Sequence, residues 1–413
     1  MTKRSTALHM RNACRRTLIA AADAIGVGPV LRRRREFGRI PPSPFGPSTP
    51  HYDAGRGLFE FGGSWRQIGR QTAEAFPPLA TVSAARGILE SASGVQRHNL
   101  TAQVDAALDT LSTWAPEVRE MLDGVVQTGI GSLREVALAN LTPQLIDGRS
   151  HRGCGAIAIK GSDGVLFAQN LDLGPTNLVS AAVLRPLDGL TFVTHFNPGT
   201  LWFTTGMNEE GLLVGGASVN VDREFELDTA KISDCFIDIL LLTRAADVEH
   251  AVGLVRRMPG FAPANSGIAS LLADRMGNIA VAEYTGTDLE VDAATTGIVA
   301  NRFGSPRLAH LNRTDDPVSD AVLANSNQRI AAAEAWVAGR SVSYPALLGL
   351  IRGRSGPGAW CRSGVPPDIG WTSATYCFDV ARGRMDFWNG IAPHHPPHRS
   401  LDLTSIFPRV PRQ

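Results

Sequence analysis

The spacing of hydrophobic positions along the chain follows two different patterns, and the pattern changes near residue 150. Between Tyr52 and about Asn140 apolar residues recur three and four positions apart, which predicts a helical front section. The positions that carry this rhythm are Ile68, Ala75, Val104, Leu108, Leu111, Val118, Met121, Leu122 and Val125. From Gly155 onward the apolar runs become short and are separated by turn pairs such as Asp163-Gly164. This second texture predicts the strands of an antiparallel sheet.

The predicted elements alternate in blocks. The predicted strands are Ala156–Ile159, Val165–Gln169, Ala181–Leu184 and Thr191–His195, then hairpins within Trp202–Ala217 and Ile268–Tyr284, and finally Thr372–Val380 and Arg384–Trp388. The predicted helices after residue 150 are Phe236–Arg256, interrupted near Asp247, and Ser326–Val337 and Tyr344–Ile351. Runs of strands separated by runs of helices predict an α+β layered fold.

Composition and charge exclude several classes of protein. The 413 residues carry 40 basic and 39 acidic side chains, so no overall field attracts nucleic acid or an anionic membrane, and neither is an expected partner. Five widely spaced cysteines argue against a disulfide framework and against a structural zinc site. No apolar run reaches the roughly 18 to 20 residues that span a bilayer. We therefore expect a cytoplasmic protein without a bound metal.

The first 50 residues differ from the rest of the chain. They combine a basic start, a weakly apolar run and a Pro-rich stretch, and we expect them to be a disordered extension or linker. A secretory signal remains the alternative, although Asp23 interrupts the apolar run and no clean cleavage site follows. Residues 394–413 contain a Pro- and His-rich stretch and are expected to be a C-terminal tail.

The sharpest chemical feature is Cys154, which opens the first predicted strand between Gly153 and Gly155. Its thiol can attack the carbonyl of Gly153, which would cleave the chain there and leave Cys154 with a free α-amino group. An α-amine has a pKa of about 7.7 to 8.0, so it can serve as the base that converts the thiol to thiolate. The competing interpretation is that Cys154 is a small buried apolar residue.

The run from Cys154 through Gly164 to Gln169-Asn170-Leu171-Asp172 resembles the nucleophile hairpin of the acyl-coenzyme A:6-aminopenicillanic acid acyltransferase family. This family is the C45 group of N-terminal-nucleophile hydrolases. A hairpin returns the end of its second strand beside the start of its first, so Asp172 should lie near Cys154. Two departures from the family pattern are Gly155, where a hydroxyl residue is usual, and Arg302, where His is usual.

The resemblance implies roles for further residues. Asn301 corresponds to the residue whose amide donates to the developing oxyanion. Arg362 corresponds to an Arg near the nucleophile, and Asn170 belongs to the hairpin motif. Ser326 and Arg329 resemble a Ser-x-x-Arg segment at a helix start, where Ser326 could be an N-cap and Arg329 could hold a carboxylate. The expected site is therefore Cys154, Asp172, Asn301 and Arg362, supported by Asn170, Ser326 and Arg329.

The resemblance also implies a four-layer αββα sandwich of two antiparallel sheets between helical layers. Residues 51–153 would be a helical prosegment that stays bound after cleavage, as in a zymogen, and residues 154–393 the catalytic core. The implied activity is hydrolysis of a linear amide, or transfer of an acyl group from a thioester or amide donor to an amine, through a thioester on Cys154. No cofactor is expected, although acyl-coenzyme A stays open as a co-substrate.

Two alternatives remain open at this point. One is an amidase of the bile-salt or penicillin V acylase type, whose relatives usually carry an Arg soon after the nucleophile. The chain has no Arg between Cys154 and Asp172, which disfavours this alternative. The other is a catalytically silent binding protein on the same fold, which would remain a single chain of 44.1 kDa.

Overall fold

The fold is built on two β-sheets, seen in a computed structural model that describes residues 51–53, 58–141, 153–161, 164–172, 180–223, 228–262, 266–338, 342–353, 358–362, 372–389 and 399–407. The first sheet has nine strands, which are β1 His51–Asp53, β2 Leu58–Gly63, β5 Ser180–Pro186, β6 Phe192–Phe196, β7 Phe203–Asn208, β8 Leu213–Asn220, β11 Ser266–Ala273, β12 Ile279–Tyr284 and β13 Leu289–Ala294. They lie side by side in the order β1-β2-β5-β6-β7-β8-β11-β12-β13. Neighbours pair antiparallel except β2 and β5, which are parallel.

The second sheet has six strands, which are β3 Gly153–Gly161, β4 Gly164–Asp172, β14 Thr296–Ala300, β15 Ala374–Asp379, β16 Arg384–Asn389 and β17 Arg399–Asp402. They lie in the order β14-β3-β4-β15-β16-β17. All of the pairings in this sheet are antiparallel. A separate parallel pair joins β9 Ile232–Ser233 and β10 Phe261–Ala262.

Helices cover both outer faces. They are α1 Trp65–Ala75, α2 Leu79–Ser91, α3 Gly94–Trp114, α4 Pro116–Val126, α5 Leu133–Asn140, α6 Ile237–Arg244, α7 Val248–Arg257, α8 Pro317–Ala338, α9 Tyr344–Ile351 and α10 Leu403–Ile406. Helices α1 to α7 bury their apolar sides on the nine-stranded sheet, in one cluster with side chains such as Leu184 and Leu272. Helices α8 and α9 pack on the outer face of the six-stranded sheet against Ile157 and Cys377.

A third apolar cluster lies between the sheets. It joins inward-facing residues of the six-stranded sheet, such as Phe167 and Phe378, to those of the nine-stranded sheet, such as Val193 and Leu271. The layers therefore run helix, sheet, sheet, helix. The predicted α+β fold and αββα sandwich are confirmed.

Several element predictions need correction. The front section begins with two strands before its helices. Strand β2 pairs with β5, and β1 forms the edge of the nine-stranded sheet beyond it. The sequence interpretation missed β13, β14 and β17. Residues 399–407, assigned to a tail, form β17 and α10 and bury Leu403 and Phe407. The break near Asp247 is confirmed, because its side chain accepts from the backbone N–H of His250 and begins α7.

Residues 1–50 and most of the predicted tail lie outside the described residues. Within the described part, no helix is both long and apolar enough to cross a membrane.

Candidate active site

Cys154 lies on β3, between β14 and β4 in the six-stranded sheet. It pairs with Leu171 on β4, while its neighbour Gly155 pairs with Ala300 on β14. Because side chains alternate across a strand, the Cys154 side chain faces the layer between the two sheets, where it packs against the inter-sheet cluster. The residue remains partly exposed. As the second residue of β3, Cys154 lies at one end of the six-stranded sheet.

Asn301 directly follows β14 and contacts the backbone of Cys154. The Cys154 N–H donates to Asn301 Oδ1 over 2.8 Å. Asn301 Nδ2 in turn donates to the Ser218 carbonyl of β8 over 2.8 Å, so this side chain links the two sheets. The family resemblance singled out Asn301 as a candidate site residue. In the structure its side-chain amide lies at the backbone nitrogen of Cys154, which belongs to the peptide bond predicted to break.

Asp172 ends β4 directly opposite Gly153 and faces the helical layer, on the other side of the sheet from the thiol. Its carboxylate is fully buried and meets two buried guanidinium groups. Oδ2 accepts from Arg329 Nη1 at 2.9 Å and lies 3.2 Å from Arg362 Nε. Oδ1 accepts from the Thr372 hydroxyl at 2.6 Å. Such a carboxylate compensates the cost of burying the two cations.

Arg329 also holds the other end of the Cys154 residue. Its Nη1 donates to the Cys154 carbonyl at 3.2 Å, and Nη2 donates to the Trp360 carbonyl at 3.2 Å. The guanidinium carbon lies 5.1 Å from the centroid of the Trp360 ring, which is cation–π distance. Arg329 therefore connects α8, the Asp172 carboxylate and the nucleophile strand.

Arg362 is anchored by groups that the sequence did not single out. Its backbone N–H donates to the Thr372 hydroxyl at 2.7 Å, and its Nη2 hydrogen bonds to Asn325 Oδ1. Sequence reasoning missed Thr372 as a site residue, because only the pairing of β15 with β4 brings it beside Asp172. No local motif marks this contact.

Steric packing explains why glycines stand on both sides of Cys154. A Cβ on Gly153 would lie 2.7 Å from Arg362 Cζ, and one on Gly155 would lie 2.9 Å from both Arg329 Nη2 and Trp360 Cζ3. Real Cβ atoms do not approach other atoms so closely. Both glycines are buried. The two glycines therefore make room for the buried guanidinium groups.

The thiol is not activated in the uncleaved chain. Burial, followed by the negative charge of Asp172, raises the pKa of Cys154 to about 11, and the two arginines only partly oppose this. At neutral pH the thiol is protonated, and a protonated thiol is a poor nucleophile. A base is needed nearby for catalysis at neutral pH.

The remaining predicted residues are structural in this geometry. Asn170 Nδ2 donates to the Ile351 and Trp360 carbonyls at 2.8 and 2.9 Å, and Thr375 donates to its Oδ1 at 2.6 Å. The N-cap interpretation of Ser326 is wrong. Helix α8 begins nine residues earlier, at Pro317, and Ser326 donates to the Val322 carbonyl from inside it.

The backbone N–H groups at the start of α8 are instead capped by Asp316, whose Oδ1 accepts from those of Val318 and Ser319 at 3.0 Å each.

Within the described part of the chain, no three His, Cys, Asp or Glu side chains are grouped so that they could hold a metal ion.

One known family matches part of this chain. The model of the family described as acyl-coenzyme A:6-aminopenicillanic acid acyl-transferase matches residues 159–335. This region of the chain is similar to that family. The family resemblance found in the sequence is thereby confirmed. The match includes Asp172, Asn301, Ser326 and Arg329, but it begins after Cys154 and ends before Arg362.

No curated protein matches the chain. Among solved structures, penicillin V acylase from Agrobacterium tumefaciens is similar at 18% identity and a TM-score of 0.41, over 61% of this chain and 86% of that one. A mutant of conjugated bile acid hydrolase from Clostridium perfringens gives 15% and 0.40, over 61% and 93%. The Caenorhabditis elegans N-acylethanolamine-hydrolyzing acid amidase ortholog gives 13% and 0.35, over 55% and 92%. Likeness at this level carries no information about substrate.

Proposed function

We propose that this chain is a self-processing cysteine amide hydrolase or acyltransferase that cleaves itself between Gly153 and Cys154 and then uses Cys154 as its nucleophile. The observation that carries the proposal is that hydrogen bonds hold the Cys154 backbone on both sides of its side chain. Asn301 Oδ1 accepts from its N–H at 2.8 Å, and Arg329 donates to its carbonyl at 3.2 Å. Asn301 thus holds the nitrogen of the bond to be cleaved, and Arg329 holds the carbonyl of the next peptide bond. A residue fixed on both sides of its own thiol favours intramolecular attack, because orientation replaces a bimolecular encounter.

Self-cleavage would begin with attack of Cys154 Sγ on the Gly153 carbonyl carbon. The C–N bond then breaks, a thioester forms between Gly153 and the Cys154 sulfur, and the thiol proton moves to the departing nitrogen. Water hydrolyses the thioester, which releases the Gly153 carboxylate and restores the thiol. The new α-amine of Cys154 would take the place of the present N–H, beside Asn301 Oδ1.

That amine supplies the base which the uncleaved site lacks. It would accept the thiol proton while Sγ attacks the carbonyl of a substrate amide, and it would return the proton to the leaving amine. Asn301 Nδ2 carries a second hydrogen beyond the one given to Ser218, and we assign it to the developing oxyanion. Asp172, Arg329 and Arg362 would act as positioning residues, because they contact the strand from the side opposite the thiol.

The resulting thioester can be resolved in two ways. Water gives hydrolysis of an amide, and a bound amine gives acyl transfer. The name of the matched family favours an acyl donor and an amine acceptor, and acyl-coenzyme A is the donor to examine first. The two fragments of the chain would remain associated, and the substrate would be a small-molecule amide or acyl donor.

Intact-mass analysis tests the proposal. Wild-type protein should separate under denaturing conditions into residues 1–153 and residues 154–413, whereas Cys154→Ala should remain one chain of 44.1 kDa. Cys235→Ala is the matched control, because this partly exposed cysteine lies just before α6, in the helical layer on the nine-stranded sheet, and the variant should cleave like wild type. If the wild-type protein stays whole, or if Cys154→Ala also separates into two fragments, Cys154 is not a self-processing nucleophile. Either result would favour the alternative of a catalytically silent binding protein.

A further inference from the structure

Two buried polar side chains face each other in the layer between the sheets. His195 on β6 and Tyr376 on β15 are 1% and 0% exposed, and their ring centroids lie 5.6 Å apart. Among the described residues, neither His195 Nε2 nor the Tyr376 hydroxyl makes a hydrogen bond of good geometry, and only the Asn197 side chain lies near enough to act on the imidazole besides Thr204. Leaving a buried polar group unpaired costs about 1 to 3 kcal/mol. Two such groups in contact therefore indicate a place where a further polar atom binds.

His195 faces this layer by the ordinary alternation of β6, and a strained bulge on β7 sets Thr204 opposite it. Thr194 pairs with Gly206 and His195 pairs with Thr204, so Thr205 is an extra residue on β7. Thr205 has a φ of 53°, the left-handed region that a β-branched residue avoids. Its N–H donates to Asp238 Oδ2 at 3.1 Å, which holds this conformation. Bulges that re-aim a side chain are common beside active sites, and strain is retained where it serves a site.

The pair lies near Cys154 and on the same face of the sheet. Cys154 pairs with Leu171, which pairs with Ala374, and Tyr376 is two residues further along the same strand. Standard strand spacing and rise place the Cα atoms of Cys154 and Tyr376 about 12 Å apart. Between them Gln169 uses its carboxamide to bond both backbone groups of Gly216 across the sheets, at 2.8 and 3.0 Å. Beside this bridge, His195 Nε2 and the Tyr376 hydroxyl are buried polar atoms whose hydrogen-bonding capacity is not used.

The chemistry of the pair selects an uncharged ligand group. Burial lowers the pKa of His195 to about 3 and raises the pKa of Tyr376 well above its usual value, so both are neutral at physiological pH. Nδ1 of His195 is engaged by the Thr204 hydroxyl at 2.8 Å, which leaves Nε2 directed elsewhere. A charged ligand group would lose its hydration without meeting a counter-charge here. A hydroxyl or carbonyl can be satisfied by one imidazole nitrogen and one phenol.

We propose that His195 and Tyr376 form a distal polar subsite of the acyl-binding pocket and bind one uncharged oxygen of the acyl chain. The Cα separation of Cys154 and Tyr376, about 12 Å, sets the approximate length of chain between that oxygen and the carbonyl that Cys154 attacks. The substrate class is then an acyl compound with an extended apolar chain and a hydroxyl or oxo group near its far end. The assignment to an acyl pocket rests on the proposed function of Cys154.

Two ketones that cannot be hydrolysed test the subsite on the wild-type protein. The probes are 2-undecanone and 11-hydroxy-2-undecanone, whose terminal oxygen lies near the required distance, and binding is measured by titration calorimetry. One hydrogen-bonded oxygen should give the hydroxyketone an affinity about tenfold higher. Tyr376→Phe and His195→Phe should each bring the affinity ratio close to one. Tyr284→Phe removes a buried hydroxyl bonded to Ser270 on the other face of the nine-stranded sheet and should keep the ratio.

Equal affinity for the two ketones in wild type, or no binding of either, would overturn the subsite. So would a ratio that survives both substitutions. The result is separable from the mass experiment. A protein that prefers the hydroxyketone but stays one chain retains the subsite and loses the proposed role of Cys154, and one that cleaves itself without preference does the reverse.

Discussion

At the scale of single residues, the site depends on small groups that make room for large ones. Gly153 and Gly155 look like flexible residues in the sequence, yet each is packed against a buried guanidinium group. Asp172 can sit between Arg329 and Arg362 only because those guanidinium groups reach the strand closely. Removing one partner of a buried ion pair costs about 3 to 5 kcal/mol, so this cluster constrains both stability and geometry.

Gly153→Ala should therefore slow self-cleavage. The added Cβ would lie 2.7 Å from Arg362 Cζ, and Arg362 must move away from Asp172 to relieve the overlap. Overpacking of this kind costs about 1 to 3 kcal/mol, which corresponds to a rate about 5 to 150 times lower if it acts on the cleavage step. The measurement is the time course of fragment formation, followed by mass.

Gly87→Ala is the control for this substitution. Gly87 is in α2, and a Cβ there would meet nothing within 4 Å. It should cleave at the wild-type rate with an unchanged or higher Tm, because Ala favours a helix more than Gly does. Wild-type cleavage by Gly153→Ala would show that the position of Arg362 does not matter for this step.

At the scale of elements, the bulge on β7 is held by the Asp238 carboxylate, whose burial disfavours its charged form. Burial, and next the charge of Asp234, raise the pKa of Asp238 to about 6. The folded state thus binds this proton more tightly than the unfolded chain, whose Asp has a pKa of about 3.9. The contribution of Asp238 to stability is present below about pH 4 and is lost as the pH rises toward 6.

Asp238→Asn should consequently stabilise the protein at pH 8, by about 1 to 3 kcal/mol, and much less at pH 4. The Asn side-chain oxygen can still accept from Thr205, so the bulge is preserved. Chemical denaturation of both proteins at the two pH values measures this difference. Asp292→Asn, at an exposed position on β13, should give a small and equal change at both. An equal gain for Asp238→Asn at pH 4 and pH 8 would contradict the argument.

At the scale of the whole molecule, the front section is part of the sandwich rather than an appendage. Strand β2 pairs in parallel with β5, and α1 to α5 share one apolar cluster with the nine-stranded sheet. Hydrogen bonds also cross the predicted cleavage point. Trp65 Nε1 donates to the Asp188 carbonyl at 3.1 Å, and Asn140 Oδ1 accepts from Leu201 N at 2.7 Å.

Cleavage at Gly153 should therefore leave both fragments in one particle. They are expected to elute together in size-exclusion chromatography, in dilute buffer and in 1 M salt, and to separate only in denaturant. High salt screens surface ion pairs but not apolar burial, which carries this contact. Separation of the fragments in native buffer would mean that the shared cluster does not hold the cleaved chain together.

The order and type of most elements could be predicted from local sequence. Hairpins such as β3 and β4, and helix α9, follow from periodicity and turn residues, because neighbouring residues alone set those patterns. The interpretation missed β14, which is short and follows β13 after a single residue, so this neighbour of the nucleophile strand β3 could not be predicted from local sequence. It also began α8 at Ser326, because a serine three positions before an arginine is as compatible with a helix interior as with a helix start.

The amino-acid sequence was also enough to single out Cys154, Asp172 and Asn301 as candidate site residues, through a short hairpin motif and a family resemblance. What they contact was settled only by the packing of distant segments. Arg329 and Thr372 reach Asp172 from 157 and 200 positions away, and Asn301 reaches Cys154 from 147 positions away. His195 and Tyr376 meet because two different sheets stack. Local periodicity records how a segment folds, whereas contacts between distant segments depend on how whole layers pack, and no short pattern encodes that packing.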